Sequence, residues 1–106
     1  MSGLRTIIAD EDRLDNVHPG SILRLDFLIG DEIPVNEVAQ GTGLNEDRIS
    51  AILSESVPID AAADLRLARY FGMSEGFFLG LQIDYDLEEE RRAHGDELER
   101  IVRRAA

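Results

Sequence analysis

The sequence contains no cysteine and no lysine, and it has no long hydrophobic run. The absence of cysteine excludes a disulfide framework, a thiol metal site and a cysteine nucleophile, and it is typical of a reducing compartment. The longest apolar stretch, GFFLGLQI at 76–83, is too short to span a membrane. Because the stretch MSGLRTIIADEDRLD at 1–15 lacks the apolar region of a signal peptide, we expect a cytoplasmic protein without a membrane partner.

Motifs for catalysis and cofactor binding are also missing. The sequence has neither a G-x-S-x-G nucleophile elbow nor a glycine-rich phosphate loop. The two histidines, His18 and His94, have no clear ligand partner at helical spacing, and the acidic run DYDLEEE at 84–90 lacks the glycine of a calcium loop. We therefore expect a protein that is not an enzyme and that holds neither a metal nor a cofactor.

The charge is strongly negative. Eleven arginines stand against 22 acidic residues, which gives a net charge of −11, whereas DNA-binding proteins usually carry a basic surface. Residues 18–83 alone contain 10 acids and 4 arginines, so the acids are not confined to the ends of the chain. A local basic patch would still form if these arginines lay on one face; they are Arg24, Arg48, Arg66 and Arg69.

Apolar residues recur at helical spacing along most of the chain, and strand patterns are almost absent. The helix start signals are Pro19, Pro34, Asn45, Asp60 and Ser74. The stop signals are Gly30, the GTG of 41–43, Pro58, Gly72 and the pair His94–Gly95. These signals predict an all-α fold of five helices with a helical C-terminal extension, in which DELERIVRR at 96–104 forms a last helix.

The domain organisation follows from the same signals. We expect an N-terminal lead-in (1–17), a helix-turn-helix domain (18–92) and a C-terminal helical tail (93–106). The residues predicted to form one core are Ala39, Leu44, Ile49, Ile52, Leu65, Ala68 and Phe71.

The second and third predicted helices have helix-turn-helix proportions. In VNEVAQGTGLNEDRISAIL at 35–53, Ala39 falls where two helices would cross closely. Gly43 and Leu44 fall in the turn, and Ile49 becomes the inward anchor of the third helix. Many helical hairpins share this spacing, so the pattern alone does not establish DNA binding.

Three segments carry a resemblance to a known family: HPGSIL (18–23), RISAI (48–52) and LRLARYFGMSEGFFLGLQIDYDL (65–87). They resemble the HigA-type antidote proteins of toxin–antitoxin and plasmid maintenance modules, which are Xre-like helix-turn-helix regulators. The resemblance implies a lambda-repressor-like helix-turn-helix domain that dimerises and represses its own promoter by binding palindromic operator DNA. It also implies an antitoxin that binds and neutralises a partner mRNA-cleaving toxin.

The resemblance implies DNA contacts on the third helix and its flanks. The expected contact residues are Asn45, Asp47, Arg48, Ser50 and Ser54. Arg48 can pair with a guanine, or it can pair with Glu46 or Asp47 nearby. Asn45 can read a base or serve only as the cap of the helix.

The sequence departs from the family at three acids. Glu46 and Asp47 stand where the family has small, polar or basic residues, and Glu55 stands in a loop that is basic in the family. The helix dipole favours acids in a first turn, which explains how Glu46 and Asp47 are tolerated by the fold. The alternative function is therefore an acidic protein-interaction module that keeps the fold but has lost DNA binding.

A homodimer needs an interface, and the C-terminal half offers apolar residues beyond those that the first four helices require. The expected interface residues are Phe77, Phe78, Leu81 and Tyr85.

Overall fold

The computed structural model describes residues 14–105, which form helices and connecting loops without any strand. Helix α1 begins as Pro19–Ile22 and continues as a π-helical stretch, Leu23–Ile29. The other helices are α2 (Val35–Thr42), α3 (Glu46–Leu53), α4 (Ala61–Phe71) and α5 (Phe77–Glu99). The predicted all-α, five-helix fold is therefore confirmed. Residues 1–13 of the predicted lead-in lie outside the described residues.

Several predicted helix ends are confirmed, and each is formed by the kind of capping residue that the sequence indicated. The side chains of Asn45 and Asp60 cap α3 and α4 by accepting backbone N–H groups, as expected for these residue types. Gly43 and Gly72 end α2 and α4 in the left-handed conformation, with φ of 80° and 74°. His18 adds a cap that the sequence did not show, because its Nδ1 accepts the Gly20 N–H at 2.9 Å.

Two predicted end signals are wrong. Gly30 keeps a right-handed conformation (φ −56°), and Glu32, two residues later, takes the positive φ of 56°. Ser74 does not cap α5 with its side chain; the residue before α5 is Gly76, with φ 93°. The chain turns at Glu32 because its N–H donates to the Ile29 carbonyl at 3.1 Å and the Ile33 N–H donates to the Leu28 carbonyl at 2.8 Å, the bonds of a local left-handed cap.

The end of α5 differs in part from the prediction. His94 has non-helical backbone angles (φ −131°, ψ 29°), so the predicted break is present as a kink inside α5. The helix resumes and ends at Glu99, and residues 101–105 have no regular structure, so the predicted last helix stops short of 104.

One core cluster joins all five helices. Its fully buried apolar residues are Leu23, Leu28, Val38, Ile49, Ile52, Ile59, Ala63, Leu67, Ala68 and Phe78. Of the predicted core, Ile49, Ile52 and Ala68 are buried in it, and Ala39, Leu44 and Phe71 pack against it while partly exposed.

Leu65 is a wrong prediction, because its side chain is 40% exposed. Ala63 and Leu67 carry the buried face of α4. At 100° per residue, Leu65 lies about 200° around the helix from Ala63, on the solvent side.

The predicted dimer residues also change role. Phe78 is fully buried, in edge contact with Phe27 of α1 at 5.2 Å between ring centroids. Leu81 packs against the same core, and Tyr85 lies edge-on to His18 at 4.9 Å. Phe78 is therefore not available to a partner subunit, whereas Phe77 is 36% exposed and the interface at the other three residues stays a prediction.

Two glycines lie where a neighbouring helix leaves no room for a Cβ atom. A Cβ on Gly20 would overlap the backbone carbonyl of Ile52, so α1 rests directly on the C-terminal end of α3. A Cβ on Gly41 would overlap the ring of Tyr70, which brings α2 against α4. Ala39, predicted to lie where two helices cross, packs against the core while partly buried.

Two buried polar side chains tie α5 to the rest of the domain. Asp64 of α4 is 2% exposed, and its two carboxylate oxygens accept the Gly76 N–H at 2.7 Å and the Leu79 N–H at 2.8 Å. Gln82 of α5 is 5% exposed and accepts the Ile59 N–H at 2.9 Å. Asp64 therefore supplies the cap that Ser74 was predicted to give, from another helix.

Replacing Asp64 by Asn should lower the free energy of unfolding by about 1.5–3 kcal/mol, since one of the two amides loses a charged acceptor. Urea unfolding measures this loss. The control is Asp84→Asn at an exposed position of α5, where we expect a change within about 0.5 kcal/mol. Equal effects at the two sites would show that the buried carboxylate does not hold α5.

Candidate nucleic-acid interface

The turn between α2 and α3 is fixed by local hydrogen bonds. The Thr42 hydroxyl donates to the Val38 carbonyl at 2.7 Å and accepts the Leu44 N–H at 3.1 Å. The Gly43 N–H donates to the Ala39 carbonyl at 2.8 Å. These bonds end α2 and fix the direction in which the chain enters α3. The inward residues of α3, Ile49 and Ile52, are fully buried. The two helices therefore form a rigid helix-turn-helix unit.

The outer side of α3 carries most of the predicted contact residues. Asp47, Ser50 and Ser54 are exposed and follow one another at i, i+3 and i+7, so they lie on one stripe of the helix. Ser54 stands at the C-terminal end, where its hydroxyl donates to the Ala51 carbonyl at 3.1 Å and lies 2.9 Å from the Ser56 hydroxyl. These three side chains are therefore open to solvent along one side of α3.

Asn45 is the cap of α3, and it remains exposed. Its Oδ1 accepts the Asp47 N–H at 2.7 Å. Within residues 14–105, its amide nitrogen makes no hydrogen bond. The capping role and the base-reading role are therefore compatible, because they use different atoms of the same side chain.

Arg48 lies on the flank of α3 that faces α4. Its Nη2 is 2.6 Å from Oδ2 of Asp60, the N-cap of α4. The sequence left open a pairing with Glu46 or Asp47; an ion pair exists, but the partner is Asp60. The pKa of Asp60 is lowered by the hydrogen bond from the Ala63 N–H and then by the one from Arg48.

The three acids do not form one patch. Glu46 and Asp47 occupy the first turn of α3, whereas Glu55 follows the C-terminal end of this helix of about 12 Å. Glu55 has a positive φ of 65° and lies beside His18 and Tyr85. Burial of the phenol is the main cause that raises the pKa of Tyr85, and the negative charge of Glu55 adds to the rise. Only the first two acids therefore share the exposed stripe with Ser50.

The arginines do not gather on α3. Arg66 and Arg69 line one hollow on α4, and Arg69 pairs with Glu75 at 2.8 Å. Arg24 lines a different groove, of about 600 Å³ and largely apolar, beside Pro34. The local basic patch that the sequence allowed is therefore not formed by these side chains.

Other kinds of site are not supported in residues 14–105. The described chain holds no group of three or more His, Asp or Glu side chains placed to bind a metal. None of the helices within these residues is long and apolar enough to cross a membrane.

Sequence reasoning missed Asp60 as a partner of Arg48. Asp60 was recognised only as a helix cap, because capping is a local property of neighbouring residues. Its second role depends on the packing of α4 beside α3, 12 positions along the chain, and no local signal gives that distance.

The chain is similar to a curated protein and to solved structures. No protein-family model matches the chain. A curated relative, virulence-associated protein I of Dichelobacter nodosus, is 34% identical over 83 residues, which cover 78% of this chain and 77% of the relative. Two solved structures cover 87% of this chain and 100% of theirs, both with a TM-score of 0.78. They are the Pseudomonas aeruginosa antitoxin HigA with the higBA promoter (30% identical) and an addiction module antidote protein of the HigA family from Coxiella burnetii (32% identical).

Proposed function

Because the chain belongs to the HigA family of helix-turn-helix antidote proteins, we propose that it is an antitoxin and transcriptional regulator that binds operator DNA as a dimer. In this proposal it also neutralises a partner mRNA-cleaving toxin, and it acts by binding rather than by catalysis, in the cytoplasm. The observation that carries the DNA role is the match to HigA, solved with promoter DNA, over the full length of that chain. The exposed polar stripe of α3 is the structural feature that supports the DNA-binding role.

Docking follows from the dimensions of α3. The major groove is about 12 Å wide and admits an α-helix, whose diameter with side chains is about 10–12 Å, and readers of this class place the N-terminal residues of the helix against base edges. Asn45, Arg48 and Ser50 are then the base-reading candidates, and Ser54 is placed for a phosphate. Asp47 has a role as well, because a carboxylate accepts a hydrogen bond from the amino group of cytosine.

The acids at the start of α3 lower the affinity for DNA in general. At about 8 Å in a water-like dielectric, one carboxylate and one phosphate repel by roughly 0.5 kcal/mol. The repulsion between two acids and several phosphates sums to a few kcal/mol. The free-energy margin between specific and non-specific binding is about 4–10 kcal/mol. In this proposal the protein binds random DNA poorly but still binds its operator, because the repulsion is smaller than the margin of specific binding.

The role of these two acids can be measured on random-sequence duplex DNA. The double variant Glu46→Gln, Asp47→Asn should raise the affinity about tenfold and leave thermal stability nearly unchanged, because it removes repulsion at the docking surface. Fluorescence anisotropy at low and moderate salt gives both the affinity and its salt slope.

The matched control is Asp96→Asn with Glu97→Gln, which changes the net charge by the same two units at two adjacent exposed acids of α5. We expect a clearly smaller gain in affinity from it. Equal gains would mean that only the total charge matters and that the N-terminal end of α3 does not face the DNA.

The dimer interface is proposed on the outer face of α5. Ile83 and Leu87 are each 50% exposed and stand four residues apart, so they form one stripe. This stripe lies roughly 140–180° around α5 from the buried Phe78. Since apolar side chains at the centre of an interface with a charged rim are typical of protein contacts, a second copy is the proposed occupant.

Sedimentation tests this interface. The wild-type protein should be a dimer at micromolar concentration, and Ile83→Glu with Leu87→Glu should make it monomeric, because buried carboxylates without partners oppose association. Helical content should not change. The control Leu25→Glu introduces a charge at another exposed apolar position, on α1, and should leave the dimer intact. A wild-type monomer, or a dimer that survives the double change, would refute the proposed interface.

The alternative is an acidic protein-interaction module with the same fold that does not bind DNA. The excess of acids within residues 18–83 favours it. Binding of the toxin is common to both functions, so only DNA binding separates them.

A further inference from the structure

Arg48 is the one basic side chain available to the helix-turn-helix unit. The sequence has no other arginine, lysine or histidine between Arg24 and Arg66. The side chain of Arg48 is 36% exposed and that of its ion-pair partner Asp60 is 55% exposed, so a ligand in solution can reach the pair. Whatever restrains Arg48 therefore acts on the main attractive contact that this unit can offer to DNA.

Asp60 holds Arg48 with a carboxylate that is itself fixed. Its Oδ1 accepts the Ala63 N–H at 3.0 Å and caps α4, while its Oδ2 faces Arg48 at 2.6 Å. Because the cap orients the carboxylate, less side-chain freedom is lost when the pair forms than in an ordinary surface ion pair. The backbone next to it is also anchored, since the Ile59 N–H donates to the buried Gln82.

A carboxylate, a phosphate and the O6 and N7 atoms of guanine are alternative acceptors for the same guanidinium. We propose that Asp60 holds Arg48 on the protein and competes with DNA for it, so that Arg48 reaches the DNA only after it leaves Asp60. This inference rests on the proposed DNA-binding function. Its consequence is weaker binding to random DNA, because every contact of Arg48 with a phosphate must first replace the ion pair with Asp60.

The test uses Asp60→Asn, since asparagine is an equally good N-cap and removes only the charge. On random-sequence duplex DNA, the affinity should rise by about two- to fivefold, the range that an exposed ion pair gives. The salt slope should steepen by about one unit, because a freed arginine displaces one more counterion. Thermal stability should stay nearly constant, and Asp60→Ser, which keeps a capping hydroxyl but is too short to hold Arg48, should behave in the same way.

Two controls separate this effect from a general change of charge. Glu75→Gln removes one negative charge and frees Arg69 at the C-terminal end of α4, and it should leave the salt slope unchanged. In an Arg48→Gln background, Asp60→Asn should no longer raise the affinity, since its effect passes through Arg48.

Each outcome decides the inference. A gain that needs Arg48 supports it. A gain that persists without Arg48, no gain, or a loss of affinity overturns it while leaving DNA binding in place, and a loss would mean that Asp60 presents Arg48 to the DNA. If no variant binds DNA, including Glu46→Gln with Asp47→Asn, the proposed function fails and this inference fails with it.

Discussion

The buried carboxylate of Asp64 fixes the position of α5, and the surroundings of α3 depend on that position through a short series of contacts. Each oxygen of Asp64 accepts one amide from the first turn of α5 or the residue before it. With α5 held there, Gln82 reaches the backbone of Ile59. Asp60 follows in the chain and meets Arg48 on α3. A charge that would be costly in a core is stabilised here because both acceptors are used.

The same preference for carboxylates at helix starts explains the unusual charge of the candidate interface. Glu46 and Asp47 occupy the positive end of the α3 dipole, where they stabilise the helix by about 0.3–1 kcal/mol each. The same position repels phosphates in the proposed docking. The acids therefore raise the stability of α3 and, in the proposed docking, lower its affinity for DNA. The proposed function is accordingly a selective rather than a tight interaction with DNA.

The sequence alone predicted what local chemistry determines. The caps Asn45 and Asp60 and the left-handed glycines Gly43 and Gly72 act on their own neighbours, so their types and positions were sufficient. The fold class followed from apolar spacing and from the resemblance to the HigA family, which the comparisons confirm.

The remaining features depend on distances between helices. Leu65 faces solvent because the packing of α4 on its neighbours selects Ala63 and Leu67 for the core. The cap of α5 comes from Asp64, more than ten residues away, so Ser74 was a reasonable but wrong local choice. The five proposed contact residues keep the status of a prediction, since their role needs the DNA itself, and only the partner of Arg48 could be corrected from the structure.

Protection of the chain's own promoter tests the central claim most directly. Purified protein is added to the DNA upstream of its gene, and cleavage by hydroxyl radicals is mapped on both strands. The account predicts two protected half-sites related by a palindrome, with centres about one helical turn or a multiple of it apart, as a dimer that reads two major grooves requires. Uniform cleavage at protein concentrations that still bind the toxin would contradict it and leave the acidic interaction module as the function of this fold.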